Sequence, residues 1–130
     1  MTYLDPSAIP LATFKNIIVT AVEVEGVLKF NCMDPIPCST PDTILNFQLV
    51  QKGGGPDADY VFDTPEVIDD KSQFGTPTIS KSGKMLTVCN EVSESALIKV
   101  VLQGHDRHHT SLRGKHDPEI VNRPDGASRQ

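Results

Sequence analysis

The 130-residue chain contains no tryptophan, and its three cysteines (Cys32, Cys38 and Cys89) include no Cys-x-x-Cys pair. An odd thiol is left over in any disulfide scheme. This favours buried or neutral thiols in a reducing cytoplasm over a redox or metal role. No apolar run approaches the roughly 20 residues of a membrane-spanning helix, and "NIIVTAV" is among the longest. The opening "MTYLDPSAIPLATF" has neither the basic region nor the apolar core of a secretion signal. The expected location is therefore cytoplasmic, with no membrane partner. Positive charge is also scarce. Twelve Lys and Arg against 17 Asp and Glu give a net charge of −5, which argues against general binding of nucleic acid or anionic membranes.

Catalytic and cofactor motifs are missing too. There is no Gly-x-Ser-x-Gly elbow, zincin helix or P-loop. The three glycines of "QKGGGPDADY" lack a following Lys-Ser/Thr and a helix, so they suggest a mobile hairpin loop and not a phosphate cradle. Asp69-Asp70 reads as a solvated loop. No cofactor is implied.

What is present reads as β-structure nearly throughout. "NIIVTAVEV" (16–24) is β-branched and apolar, and Glu25-Gly26 offers a tight turn into "VLKFNC" (27–32). "TILNFQLV" (43–50) alternates, with Leu45, Phe47 and Leu49 on one face. "ADYVFD" (58–63) is a short strand closed off by Thr64-Pro65. "TPTIS" (76–80) and "KMLTVCNEV" (84–92) form a hairpin across Lys81-Ser82-Gly83. "SALIKVVLQG" (95–104) is apolar on both faces apart from Lys99, as a central strand would be, and "EIVN" (119–122) adds a last short one. Ten Pro and nine Gly supply the turns. About seven strands spaced near ten residues, without a helical period, predict an all-β, antiparallel sandwich of immunoglobulin-like type. It forms a single domain over 1–130, loose at 1–12 and 124–130.

Three features stand out against this background. All four histidines fall within 12 residues: His105, His108, His109 and His116. Grouped in one loop with Asp106, they could hold a transition metal, although their spacing fits no strong template and an exposed loop is the simpler reading. Lys99 interrupts an apolar strand. It either snorkels at a sheet edge or is held inside, where desolvation would leave a neutral, nucleophilic amine. The third feature is "GKHDPEIVNRP" (114–124), which carries the acid-labile Asp117-Pro118 bond beside His116. Asp5-Pro6 and Asp34-Pro35 are further bonds of the same kind and serve as internal controls.

"KHDPEIVNRP" downstream of "ALIKVVLQG" resembles the DP-EP family of small bacterial β-sandwich proteins. The likeness runs from about Phe14 to Pro124, with its specific part in the C-terminal block. It implies autocatalytic scission at Asp117-Pro118, as in a single-turnover aspartic-type peptidase acting on itself, and a lysine–aspartate cross-link with Lys99 as the amine. Where the family would have a Glu-Pro dipeptide near the end, this sequence has Arg123-Pro124. The chemistry itself is reasonable. The Asp117 carboxyl attacks its own carbonyl, His116 is a candidate proton donor to the leaving Pro118, and Lys99 captures the acyl group. The partner implied is the chain's own segment 118–130, held after scission by strand pairing of 119–122. Two other readings stand beside this one. One is a non-enzymatic binding or structural module, and the other is metal binding through His105, His108 and His109.

Overall fold

A computed structural model describes residues 13–53 and 57–124. Ten strands are seen among them: β1 (Thr13–Val24), β2 (Val27–Asn31), β3 (Ile36–Cys38), β4 (Thr43–Gln51), β5 (Tyr60–Ile68), β6 (Thr78–Ile79), β7 (Met85–Asn90), β8 (Ala96–Asp106), β9 (Arg113–His116) and β10 (Glu119–Asn122). The expectation of an all-β chain holds. Among the described residues there is no helix, and hence none long and apolar enough to cross a membrane.

The strands form two sheets. The first runs β2-β1-β4-β7-β6; the second runs β3-β10-β8-β5, with β9 also paired to β8. Both are mixed, which corrects the antiparallel expectation. β1 lies parallel to β4 and β10 parallel to β3, while the other pairs are antiparallel. Alternation along a strand fixes which side chains face inward but carries no information about the neighbour's direction.

One hydrophobic cluster draws on both sheets. Ile17, Val19 and Ala21 of β1 and Leu45, Phe47 and Leu49 of β4 meet Tyr60 and Phe62 of β5 and Ile98, Val100 and Leu102 of β8. Alternate residues of each strand supply this face, and each large side chain buried there contributes about 1.5–3 kcal/mol. Glu25 and Gly26 both have positive φ (51° and 78°), the combination of a type I′ turn whose twist suits the β1–β2 hairpin.

Several expected boundaries move. β5 does not stop at Thr64-Pro65 but continues to Ile68 through a register shift between Asp63 and Glu66. A bulge on an edge strand is where a proline without an N–H is tolerated. The glycine run lies in the connection from β4 to β5, which belong to different sheets, so it is a crossover and not a hairpin. Gly54, Gly55 and Pro56 fall outside the described residues, as do 1–12 and 125–130, which hold most of the two ends expected to be loose. β8 is central, as expected, but only one of its faces is buried. Leu97 on the other face is 64% exposed.

Candidate functional site

The Asp117-Pro118 bond lies in the gap between β9 and β10, which flank the same edge of β8. His116 pairs with Leu102 and Glu119 with Lys99, so two residues separate the paired positions on each strand. The register therefore passes through the gap unchanged, with Asp117 opposite Val101 and Pro118 opposite Val100. The Val100 N–H donates to the Pro118 carbonyl at 3.3 Å. Pro118 is buried, and its missing N–H explains why the ladder is interrupted there and not continuous. On the far side, the Asp34 Oδ1 accepts the Glu119 N–H at 3.0 Å. The bond is thus held extended and fixed on both flanks.

Side chains alternate about this segment. Asp117 points to the outer face, where its Oδ2 lies 3.8 Å from the Lys99 Nζ. The two side chains are 59% and 48% exposed, so Lys99 is the snorkelling lysine of the two alternatives and keeps its water. Glu66, opposite Val101 on β5, completes the outer face. A cleft of about 290 Å³ is lined by Glu66, Val101, Lys115, His116 and Asp117. Lys99 and Asp117 are therefore brought together, 18 positions apart in sequence, by strand pairing alone.

His116 differs in placement. It alternates to the inner side of β9 from Asp117 and is partly buried, and its Nε2 is enclosed without a hydrogen-bond partner. An imidazole nitrogen so placed retains an unused donor or acceptor position next to the bond.

The histidines do not form one loop. His105 sits on β8, with its Nδ1 2.9 Å from the Asp63 Oδ1, and His116 sits on β9. Only His108 and His109 occupy the exposed turn between the two strands. Asp106, the carboxylate expected among them, is turned inward and buried. Its Oδ1 accepts the backbone N–H of His108 at 2.9 Å and of Asp59 at 3.3 Å. Burial pushes its carboxyl pKa up, but these N–H donors and the nearby His109 outweigh that and hold it below the usual range. Strand alternation therefore separates side chains that are adjacent in sequence. Among the described residues, no three His, Cys, Asp or Glu converge as a metal site.

The thiols lie elsewhere. Cys38 is buried, Cys32 partly so, and Cys89 exposed, all of them free. Burial, followed by the negative Asp34, pushes the Cys32 thiol up to about 11, and burial likewise raises that of Cys38.

No sequence pattern marks Glu66 or the Val100 N–H as part of this site. Asp34 carries one signal in the sequence, its own Asp34-Pro35 bond, which serves as an internal control. Asp5-Pro6 lies outside the described residues. Comparison of the sequence with protein-family models and with curated proteins gives no match.

Proposed function

We propose that this chain is a self-processing β-sandwich of immunoglobulin-like type, akin to the DP-EP family, which cleaves its own Asp117-Pro118 bond and joins Lys99 to Asp117. The reading rests mainly on one observation: the Lys99 amine stands 3.8 Å from the carboxyl group of the residue that would become the acyl donor.

The chemistry needs only groups already in place. An Asp117 carboxyl oxygen attacks the Asp117 carbonyl carbon and closes a five-membered anhydride. The C–N bond to Pro118 breaks, and the proline nitrogen takes up a proton. Lys99 is one source of that proton, and giving it up leaves the free amine that can attack. His116, on the other side of the strand, is a second source. The amine then opens the anhydride, forming an amide and releasing a carboxylate. Water can open it instead. Positioned intramolecular attack reaches effective molarities of about 10⁵ M or more, so fixing the bond in the ladder supplies much of the acceleration.

Denaturing mass spectrometry of incubated protein tests this directly. Hydrolysis yields fragments 1–117 and 118–130. Capture by Lys99 yields the same tail with a 1–117 fragment lighter by one water. A single intact chain after prolonged incubation, with Lys99 free in a tryptic map, rules the reading out for this protein.

A further inference from the structure

A second cleft, of about 400 Å³, opens where the two sheets meet, between β2 and β9, with Val27, Lys29, Asp63, Gln103, Arg113 and Lys115 among its lining. Among the described residues, β2 is the end strand of its sheet and β9 pairs with β8 alone. Both therefore present a free edge of backbone donors and acceptors to this seam. The strands approach this closely because position 114 has no side chain. A Cβ there would lie 1.9 Å from the Leu28 carbonyl oxygen.

The charge in the cleft runs against that of the whole chain. Three cations (Lys29, Arg113 and Lys115) face one carboxylate, Asp63, in a protein of net charge −5. Asp63 is already engaged, by His105 at 2.9 Å and Arg113 at 3.5 Å. Among the described residues, Lys29 and Lys115 have no carboxylate within ion-pair distance, although acidic side chains outnumber basic ones. The Gln103 amide Nε2 is already committed, donating to the Thr64 carbonyl at 3.1 Å. Val27, 46% exposed, gives one wall an apolar surface.

From this arrangement we infer that the β2–β9 cleft binds a small organic polyanion. Its two or more anionic groups are taken by Lys29 and Lys115, with Arg113 as the third cation, and its carbon skeleton lies against Val27. A cleft of this size suits a compact metabolite and not a polymer. Charges of one sign gathered around a concave site attract an opposite charge more strongly than the same charges spread over an open surface. The site adjoins the cleft beside Asp117-Pro118, with which it shares Lys115, but does not depend on scission.

Phosphate and polycarboxylate chemistry both fit, and calorimetry on the full chain with pyrophosphate and with citrate tells them apart. One saturable site is expected for at least one probe, with Kd below about 1 mM at low ionic strength, weakening as salt rises. Lys115→Ala and Lys29→Ala should each weaken binding about fivefold or more, while Lys81→Ala, outside the cleft, should leave it unchanged. Retained binding in both cleft variants, or no saturation by either probe up to about 10 mM, overturns the inference. Should a variant fold poorly, chemical-shift changes at the Gly104 and Gly114 amides of the unaltered chain decide instead. Shifts confined to the cleft support the site, and shifts absent or spread over the surface refute it.

Discussion

The Asp34 carboxylate accepts the Glu119 N–H at 3.0 Å, bridging 85 residues of sequence to reach the first amide after Pro118. It joins the turn before β3 to the strand that follows the labile bond. Replacing Asp34 by Ala removes an exposed charge-assisted acceptor worth about 1–1.5 kcal/mol. Amide exchange at Glu119 should then quicken by up to about tenfold, and scission should slow because the bond is held on one flank only. Asp34→Asn, which keeps an acceptor oxygen, should recover most of both effects.

Asp117 and Lys99 separate the two halves of the proposed chemistry. Asp117→Ala removes the internal nucleophile, so neither the tail fragment nor the cross-link should appear in a denaturing mass spectrum. Lys99→Ala should abolish only the cross-link, leaving hydrolysis products. Unfolding at neutral pH should erase the preference for this bond and leave Asp5-Pro6, Asp34-Pro35 and Asp117-Pro118 comparably slow.

Buried amides tie the last strand to the opposite sheet. Asn90 and Asn122 exchange hydrogen bonds of 2.8 and 2.9 Å, and the Gln73 Oε1 accepts from Asn122 at 3.3 Å. All three residues are about 1% exposed or less. Asn122→Leu leaves two buried amides short of partners, at about 1–3 kcal/mol for each group. A fall in Tm of roughly 5–15 °C is expected by calorimetry. A change of under about 2 °C would show that the network is not holding the strand.

Gly114→Ala tests the seam. The added methyl would meet the Leu28 backbone, which cannot rotate away as a side chain could, so β2 and β9 must separate. A loss of about 2–3 kcal/mol is expected in urea unfolding, with m unchanged if the two-state transition survives.

The thiols give a pH-dependent test. Folded Cys32 stays protonated up to about 11, against 9.0 for an unperturbed thiol. The unfolded chain therefore loses this proton first as pH rises. Whatever stability the partly buried thiol contributes is whole below about 9 and disappears between there and about 11. Cys32→Ala should flatten the alkaline limb of the stability curve. At pH 8, a peptide map after iodoacetamide should show Cys89 labelled well before Cys32 or Cys38.

The strands with clear alternation were legible in the sequence. "TILNFQLV" and the 76–92 hairpin fall where β4, β6 and β7 lie, and "EIVN" coincides with β10. β3 was not legible, being three residues long with Pro37 at its centre. β9 reads "RGKH" and has no apolar alternation because its inward positions are Gly114 and His116. Its strand character comes wholly from β8 and the close approach of β2. The same strand concealed the site. Lys99 and Asp117 meet only because the register continues unbroken from β9 into β10. Asp34 arrives from a turn and Glu66 from a strand, and no local pattern identifies the neighbours of either.

β10 is paired on both edges, with β8 on one side and β3 on the other, and Ile120 and Asn122 are buried between the sheets. Scission by either route, with or without the lysine amide, leaves the last thirteen residues joined to the rest by no covalent bond. The product would then be thermodynamically a heterodimer of a large chain and a peptide. Its melting would depend on protein concentration, diluted samples would unfold at lower temperature, and refolding would become second order. A fold that melts as one molecule before processing would melt as two afterwards, with no change in its architecture.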